Sequence, residues 1–107
     1  MARFIFVVYS KPTQGREEEF NDWYSNRHLD DILAIPGVVS ARRFKFSELQ
    51  LPQMPLPSQP YLAIYEIEAD NTVSFQKEMA DRGADGRMLI SAALSKDGLM
   101  AHFWEAI

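Results

Sequence analysis

Two histidines and a few phenols carry the acid/base chemistry open to this sequence, and His28 is the more informative of them. It falls four residues after Tyr24 and four before Ile32, with Phe20 one further step back. At 100° per residue these four span about 120° of one helical face, with His28 inside the arc. An imidazole so placed is aimed at an interior, and its ordinary pKa of about 6.5 suits proton transfer at neutral pH. Packing is the plain alternative, since a core histidine held by one hydrogen bond has the same spacing. Trp23 and Arg27 flank the face one turn apart. The fork of Arg27 suits a carboxylate or enolate, although a solvated arginine has the same spacing. Trp23 also suits packing at a helix–sheet edge. Tyr9, Tyr61 and Tyr65 lie in strand-like runs, where phenols either donate hydrogen bonds or pack. His102 keeps step with Met100 and Trp104, and parity leaves it facing either His28 or a subunit interface.

Other chemistries are excluded by what the sequence lacks. With no cysteine there is no disulfide framework, thiolate nucleophile or cysteine-based metal site. No phosphate-cradling glycine loop, GxSxG elbow or HExxH helix occurs. The histidines stand seventy-four positions apart, and Asp30 and Asp31 follow His28 too closely to join it as ligands. Neither a metal nor another cofactor is expected. A net charge of −4, with Arg42, Arg43 and Lys45 the densest basic spot, argues against nucleic acid. The opening apolar run, Phe4 to Tyr9, is too short for a secretory core or a membrane span. The expectation is a soluble cytoplasmic protein with no membrane partner.

The elements that must position these residues follow from changes of period. Arg3 to Ser10 is aromatic and β-branched, as strands are. Glu17, Glu18 and Glu19 suit a helix start, and Pro36-Gly37 ends that helix at Ile35. Val38 to Glu48 reads as a second strand, and Leu51 to Pro60, with four prolines, as a loop. Tyr61 to Glu68 is a third strand. Asn71 or Thr72 caps a second helix running to about Arg82, with Phe75 and Met79 inward. Gly83 and Gly86 interrupt it, Met88 to Leu94 is expected as another short helix, and Leu99 to Ile107 is the last strand. The result is one α+β domain over residues 1–107 with the ferredoxin-like order βαββαβ. It has a four-stranded antiparallel sheet and two helices on one face. FIFVVY, LAIY and most of the last strand are apolar at consecutive positions, which implies cover on both sheet faces. A second copy of the chain is the simplest second cover, so a homodimer through the sheet is expected.

The block FNDWYSNRHLDDILAIPGVVSARRFKF, Phe20 to Phe46, resembles the dimeric α+β barrel proteins, and within them the EthD-like group. The shared pattern is a helix of the form W-Y-x-x-x-H-L, then I-P-G-V, then a strand with basic and aromatic residues. Trp23, Tyr24, His28, Leu29, Ile35, Pro36, Gly37 and Val38 carry it, and FWEAI suits the final strand. The resemblance implies two sheets closing into a barrel with helices outside, and a site between each sheet and its helices. Methylmuconolactone isomerases look similar and place a functional histidine at the position of His28. Polyketide cyclases and dehydratases are other relatives. The asparagine–tryptophan–histidine set of haem-degrading relatives has no match here. The implied reading is a cofactor-free isomerase, cyclase or dehydratase acting on a small apolar carbonyl, lactone or aromatic compound. His28, Tyr24 and Arg27 would be catalytic, and Phe6, Phe20, Trp23, Ile32, Tyr65, Phe75 and His102 would contact substrate. A non-catalytic ligand-binding dimer or accessory protein of a catabolic pathway is the alternative, and haem-dependent oxidation a third.

Overall fold

The computed structural model describes residues 1–107. Strand β1 (Ala2–Ser10) leads into a helical rod of three segments: α1 (Glu17–Trp23), a π-helical turn (Tyr24–His28) and α2 (Leu29–Leu33). Strands β2 (Val38–Lys45) and β3 (Tyr61–Ala69), helix α3 (Val73–Ala84) and strand β4 (Met100–Glu105) complete the chain. The sheet order is β2-β3-β1-β4, with every neighbour antiparallel. This is the ferredoxin-like α+β arrangement expected.

Pairing register sorts the side chains into two faces. Phe6 lies between Tyr65 and Phe103, and Phe4 is opposite Ile67. These pack with Phe20, Tyr24, Ile32 and Phe75 from both helices in one core. The rod enters this core because three glutamates offset the positive end of α1 and Phe20, Tyr24, His28 and Ile32 are all buried. The π turn keeps them aligned. A four-residue step overshoots an α turn by about 40° but falls short of the wider i→i+5 turn. The drift therefore reverses at Tyr24–His28 and the row stays on the sheet. Gly37 joins rod to β2 at φ 95°, where a Cβ would stand 3.1 Å from the Glu68 carbonyl oxygen. Only glycine adopts this conformation without strain.

The other sheet face carries Ile5, Val7 and Tyr9 of β1, Leu62 and Ile64 of β3, Phe44 of β2, and Met100 and Trp104 of β4. Phe44, Met100 and Trp104 are exposed in the single protomer. No helix lies over this largely apolar face, in keeping with the consecutive apolar residues read from the sequence.

Several boundaries differ from expectation. Strand β2 stops at Lys45, three residues early, although Phe46 N–H still donates to the Pro60 carbonyl at 2.8 Å. Helix α3 passes through Gly83 to Ala84, and β4 ends at Glu105. Met88 to Leu94 is not helical. Thr13 N–H donates to the Ala93 carbonyl at 2.6 Å, and the Thr13 hydroxyl to the Ala92 carbonyl at 2.8 Å. These tertiary bonds compete with helix closure, while Met88 and Ala93 plug the core. No helix is long and apolar enough to cross a membrane.

Candidate functional site

His28 closes the π turn, and π turns are frequent at functional sites. Its ring stacks on Trp23, with centroids 4.6 Å apart and planes 22° apart, and meets the ring of Tyr24 edge-on at 5.0 Å. The imidazole is 6% exposed and its Nδ1 has no hydrogen-bond partner. Burial in this aromatic box depresses its pKa from 6.5 to about 4. The ring is therefore neutral at pH 7 and holds an unused buried nitrogen, an arrangement that costs stability in an ordinary core.

The phenols lie directly behind. Tyr65 O–H donates to the Tyr24 oxygen at 3.4 Å, a long contact. Burial raises the pKa of Tyr24, partly opposed by that bond and by the charge of Arg43. Burial raises Tyr65 further, and the neighbouring Tyr24 adds to the rise. Both remain phenols, able to donate, at any ordinary pH.

Arg43 holds this side of the site together. Its guanidinium carbon sits 4.7 Å from the Tyr24 ring centroid and 5.3 Å from those of Phe20 and Tyr61. Its Nη1 donates to the Ser25 hydroxyl at 2.8 Å and to the Asn21 carbonyl at 3.4 Å, and its Nη2 to Asn21 Oδ1 at 2.9 Å. Tyr61 O–H donates to Glu17 at 2.6 Å and accepts from Asn21 Nδ2 at 3.1 Å. These polar links tie β2 and β3 to the rod along one edge. The sequence marks Arg43 only as part of a basic spot. Its signal, a place on the same sheet face as Tyr61 and Tyr65, appears only once the strand register is known.

The expected site residues separate into three groups. Trp23, Tyr24, His28 and Tyr65 come together as described. Phe6, Phe20, Ile32 and Phe75 are close-packed members of the core, with Phe6 and Phe75 also reaching the surface in a groove of about 400 Å³. That groove runs between α3 and β4 and is completed by Gln76, Met79, Ala80 and Phe103. Arg27 and His102 stand apart from the cluster. Arg27, one residue before His28 and so about 100° round the rod, is exposed, with Nε 3.7 Å from Asp31. His102 pairs with Val7 on the opposite sheet face and lies near Tyr9. The groove and four other surface pockets leave His28, Tyr24 and Tyr65 untouched. No group of three or more His, Asp or Glu side chains could hold a metal ion.

Solved structures share this architecture over the full length. An EthD family protein from Bacillus halodurans C-125 superposes with a TM-score of 0.63 at 20% identity, covering 100% of both chains. The fold is the ferredoxin-like α+β fold that EthD family structures and dimeric ferredoxin-like proteins share. A dimeric ferredoxin-like protein of unknown function from Jannaschia sp. CCS1 matches with a TM-score of 0.63 at 16% identity, over 97% of this chain and 99% of the other. A provisionally assigned monooxygenase from Shewanella loihica PV-4 matches with a TM-score of 0.62 at 13% identity, over 100% of this chain and 97% of the other. Neither a protein-family model nor a curated protein matches the sequence. At these identities the likeness is one of fold, and functions differ within a fold.

Proposed function

We propose that the chain is a homodimeric enzyme that moves protons on a small apolar carbonyl, lactone or aromatic compound, using side-chain acid/base chemistry without a cofactor. The observation that carries this reading is the unpartnered Nδ1 of a neutral, buried His28. A neutral imidazole can take a proton from carbon next to a carbonyl; the C–H electrons become the enolate double bond and the carbonyl oxygen gains the charge. Tyr24, backed by Tyr65, is the donor for that oxygen. The imidazolium then returns the proton. In an isomerisation it goes to a different carbon. In a cyclisation it goes to the new alkoxide, after the enolate carbon attacks a second carbonyl of the same molecule. In a dehydration it goes to a β-hydroxyl that leaves as water while the enolate electrons form C=C. Because His28 is covered, substrate entry requires Trp23, only half-buried, to swing from its stacked position. Dimerisation through the bare sheet face would cover Trp104 and Met100, and the Jannaschia protein of the same fold is itself described as dimeric.

The test is the His28 ring signal in NMR, followed against pH and a panel of lactones and aromatic acids. A ligand that moves the ring signal and its pKa supports the reading; a ring that ignores every compound removes it. A second reading, a ligand-binding or accessory dimer, is favoured by the groove between α3 and β4, which is apolar and distant in lining from His28. A compound that shifts Phe75, Met79 and Phe103 while leaving His28 unmoved selects that reading.

A further inference from the structure

Seven of the eleven basic side chains stand in ion pairs with carboxylates. Of the remaining four, one is Lys96 and three are Arg42, Arg43 and Lys45 on the single strand β2. In a chain of net charge −4, that concentration of uncompensated positive charge is out of keeping with the rest of the surface. Arg42 points to the bare sheet face and lies over Phe44 at 5.5 Å. Arg43 and Lys45, two positions apart, project from the opposite face. Together with Phe44 and Tyr61 they line a small pocket of about 200 Å³.

The arginine is already built for a ligand. Asn21, Ser25 and three aromatic rings fix its plane. Three of its five N–H groups are committed to those partners, which leaves two with none. Glu17 accepts a hydrogen bond from the O–H of Tyr61 in this pocket and forms an ion pair with neither cation. An oriented guanidinium with two spare donors, a free ammonium alongside and aromatic walls is complementary to a planar oxyanion carried on a ring.

We infer that Arg43 and Lys45 form a subsite for the carboxylate of a small aromatic acid. The inference deepens the acid/base reading, on which it rests only in calling that acid a substrate. It gives Arg43 a binding role in place of the exposed Arg27, and it restricts the substrate class to anions. The Arg43 guanidinium and the His28 ring each lie against the Tyr24 ring, at 4.7 and 5.0 Å, so one aromatic ring stands between the subsite's arginine and the histidine.

The experiment is a pair of NMR titrations of the full chain, with benzoate and with benzamide, its uncharged counterpart. The signals followed are the Arg43 Nε–H, the Lys45 amide and the His28 ring. Benzoate is expected to move the Arg43 and Lys45 signals saturably, and benzamide to bind at least about tenfold more weakly, the loss expected for a charge-assisted pair. Lys45→Met, at an exposed position, weakens benzoate severalfold and lowers the salt dependence of its binding. Arg43→Lys keeps the charge but loses the fork, and weakens benzoate further. Equal binding of the two compounds, benzoate affinity unchanged in both variants, or no movement of the Arg43 and Lys45 signals overturns the subsite. His28 is read separately in the same spectra. Benzoate signals at Arg43 and Lys45 beside a silent His28 leave the subsite standing and count against the acid/base reading; a lactone that moves His28 alone does the reverse.

Discussion

Lowering the pH from 8 to 5, above the range in which the carboxylates titrate, should destabilise this protein chiefly through His28, and His28→Leu should remove most of that dependence. The imidazole has an ordinary pKa of 6.5 in the unfolded chain and about 4 in the folded one. Below pH 6.5 the unfolded state therefore binds more protons than the folded state, so stability falls as pH falls. The loss begins near pH 6.5 and levels off below about pH 4. Its full extent is about 3 kcal/mol, and about 2 kcal/mol has gone by pH 5. That is a large share of the 5–15 kcal/mol typical of such a domain. The assay is urea unfolding of the wild type and His28→Leu at pH 8, 6.5, 5 and 4.5, at one fixed protein concentration because a dimer's midpoint depends on it. Carboxylates titrate in both proteins and cancel in the difference. The gap between the two curves is expected to narrow, in favour of the variant, by about 2 kcal/mol from pH 8 to pH 5. Parallel curves would refute the argument, and with it the claim that His28 is neutral for want of a partner.

Gly37→Ala forces a Cβ to 3.1 Å from the Glu68 carbonyl oxygen at φ 95° and should cost about 2 kcal/mol by chemical denaturation. Phe20→Ala empties a fully buried position where α1 meets the sheet, and a loss of about 3–5 kcal/mol is expected in the same assay. Tyr65→Phe deletes only a long phenolic hydrogen bond, so stability should change by about 1 kcal/mol or less, while any ligand response of His28 weakens if the phenol pair serves the site. Trp104→Asp places a charge in the bare sheet face and should convert the proposed dimer to monomers by light scattering, with secondary structure retained; a mass equal to that of the wild type refutes a dimer through this face.

Much of the fold was legible because it rests on period. The switch from consecutive apolar residues in Phe4–Tyr9 to four-residue spacing from Phe20 to Ile32 marks strand and helix directly, and Pro36-Gly37 marks the turn between them. The π turn was not legible, since four-residue spacing looks the same whether a turn drifts forward or back. The irregular course of Met88 to Leu94 is not legible locally, because it is decided by hydrogen bonds from Thr13, some eighty residues earlier, to the Ala92 and Ala93 carbonyls. The place of Arg43 is hidden for a related reason. The irregular pairing between Val38 and Ser40 breaks the simple alternation of β2, so parity counted from its start assigns the wrong faces. Local pattern specifies the elements; what they bring together depends on register.

The π turn also separates what the fold needs from what the candidate site needs. It holds one residue more than an α turn in about the same rotation and rise. Removing one residue from it, Asn26 for example, would let the backbone close as ordinary α-helix. The rotation lost with the residue is regained by the tighter winding, so Phe20 and Ile32 keep their seats and the connection through Gly37 starts from the same side of the rod. What changes is local: Tyr24 and His28 stand three residues apart instead of four, and the stack of His28 on Trp23 is lost. The extra residue thus serves the histidine and not the core, and its deletion should leave the fold intact while dismantling the aromatic box.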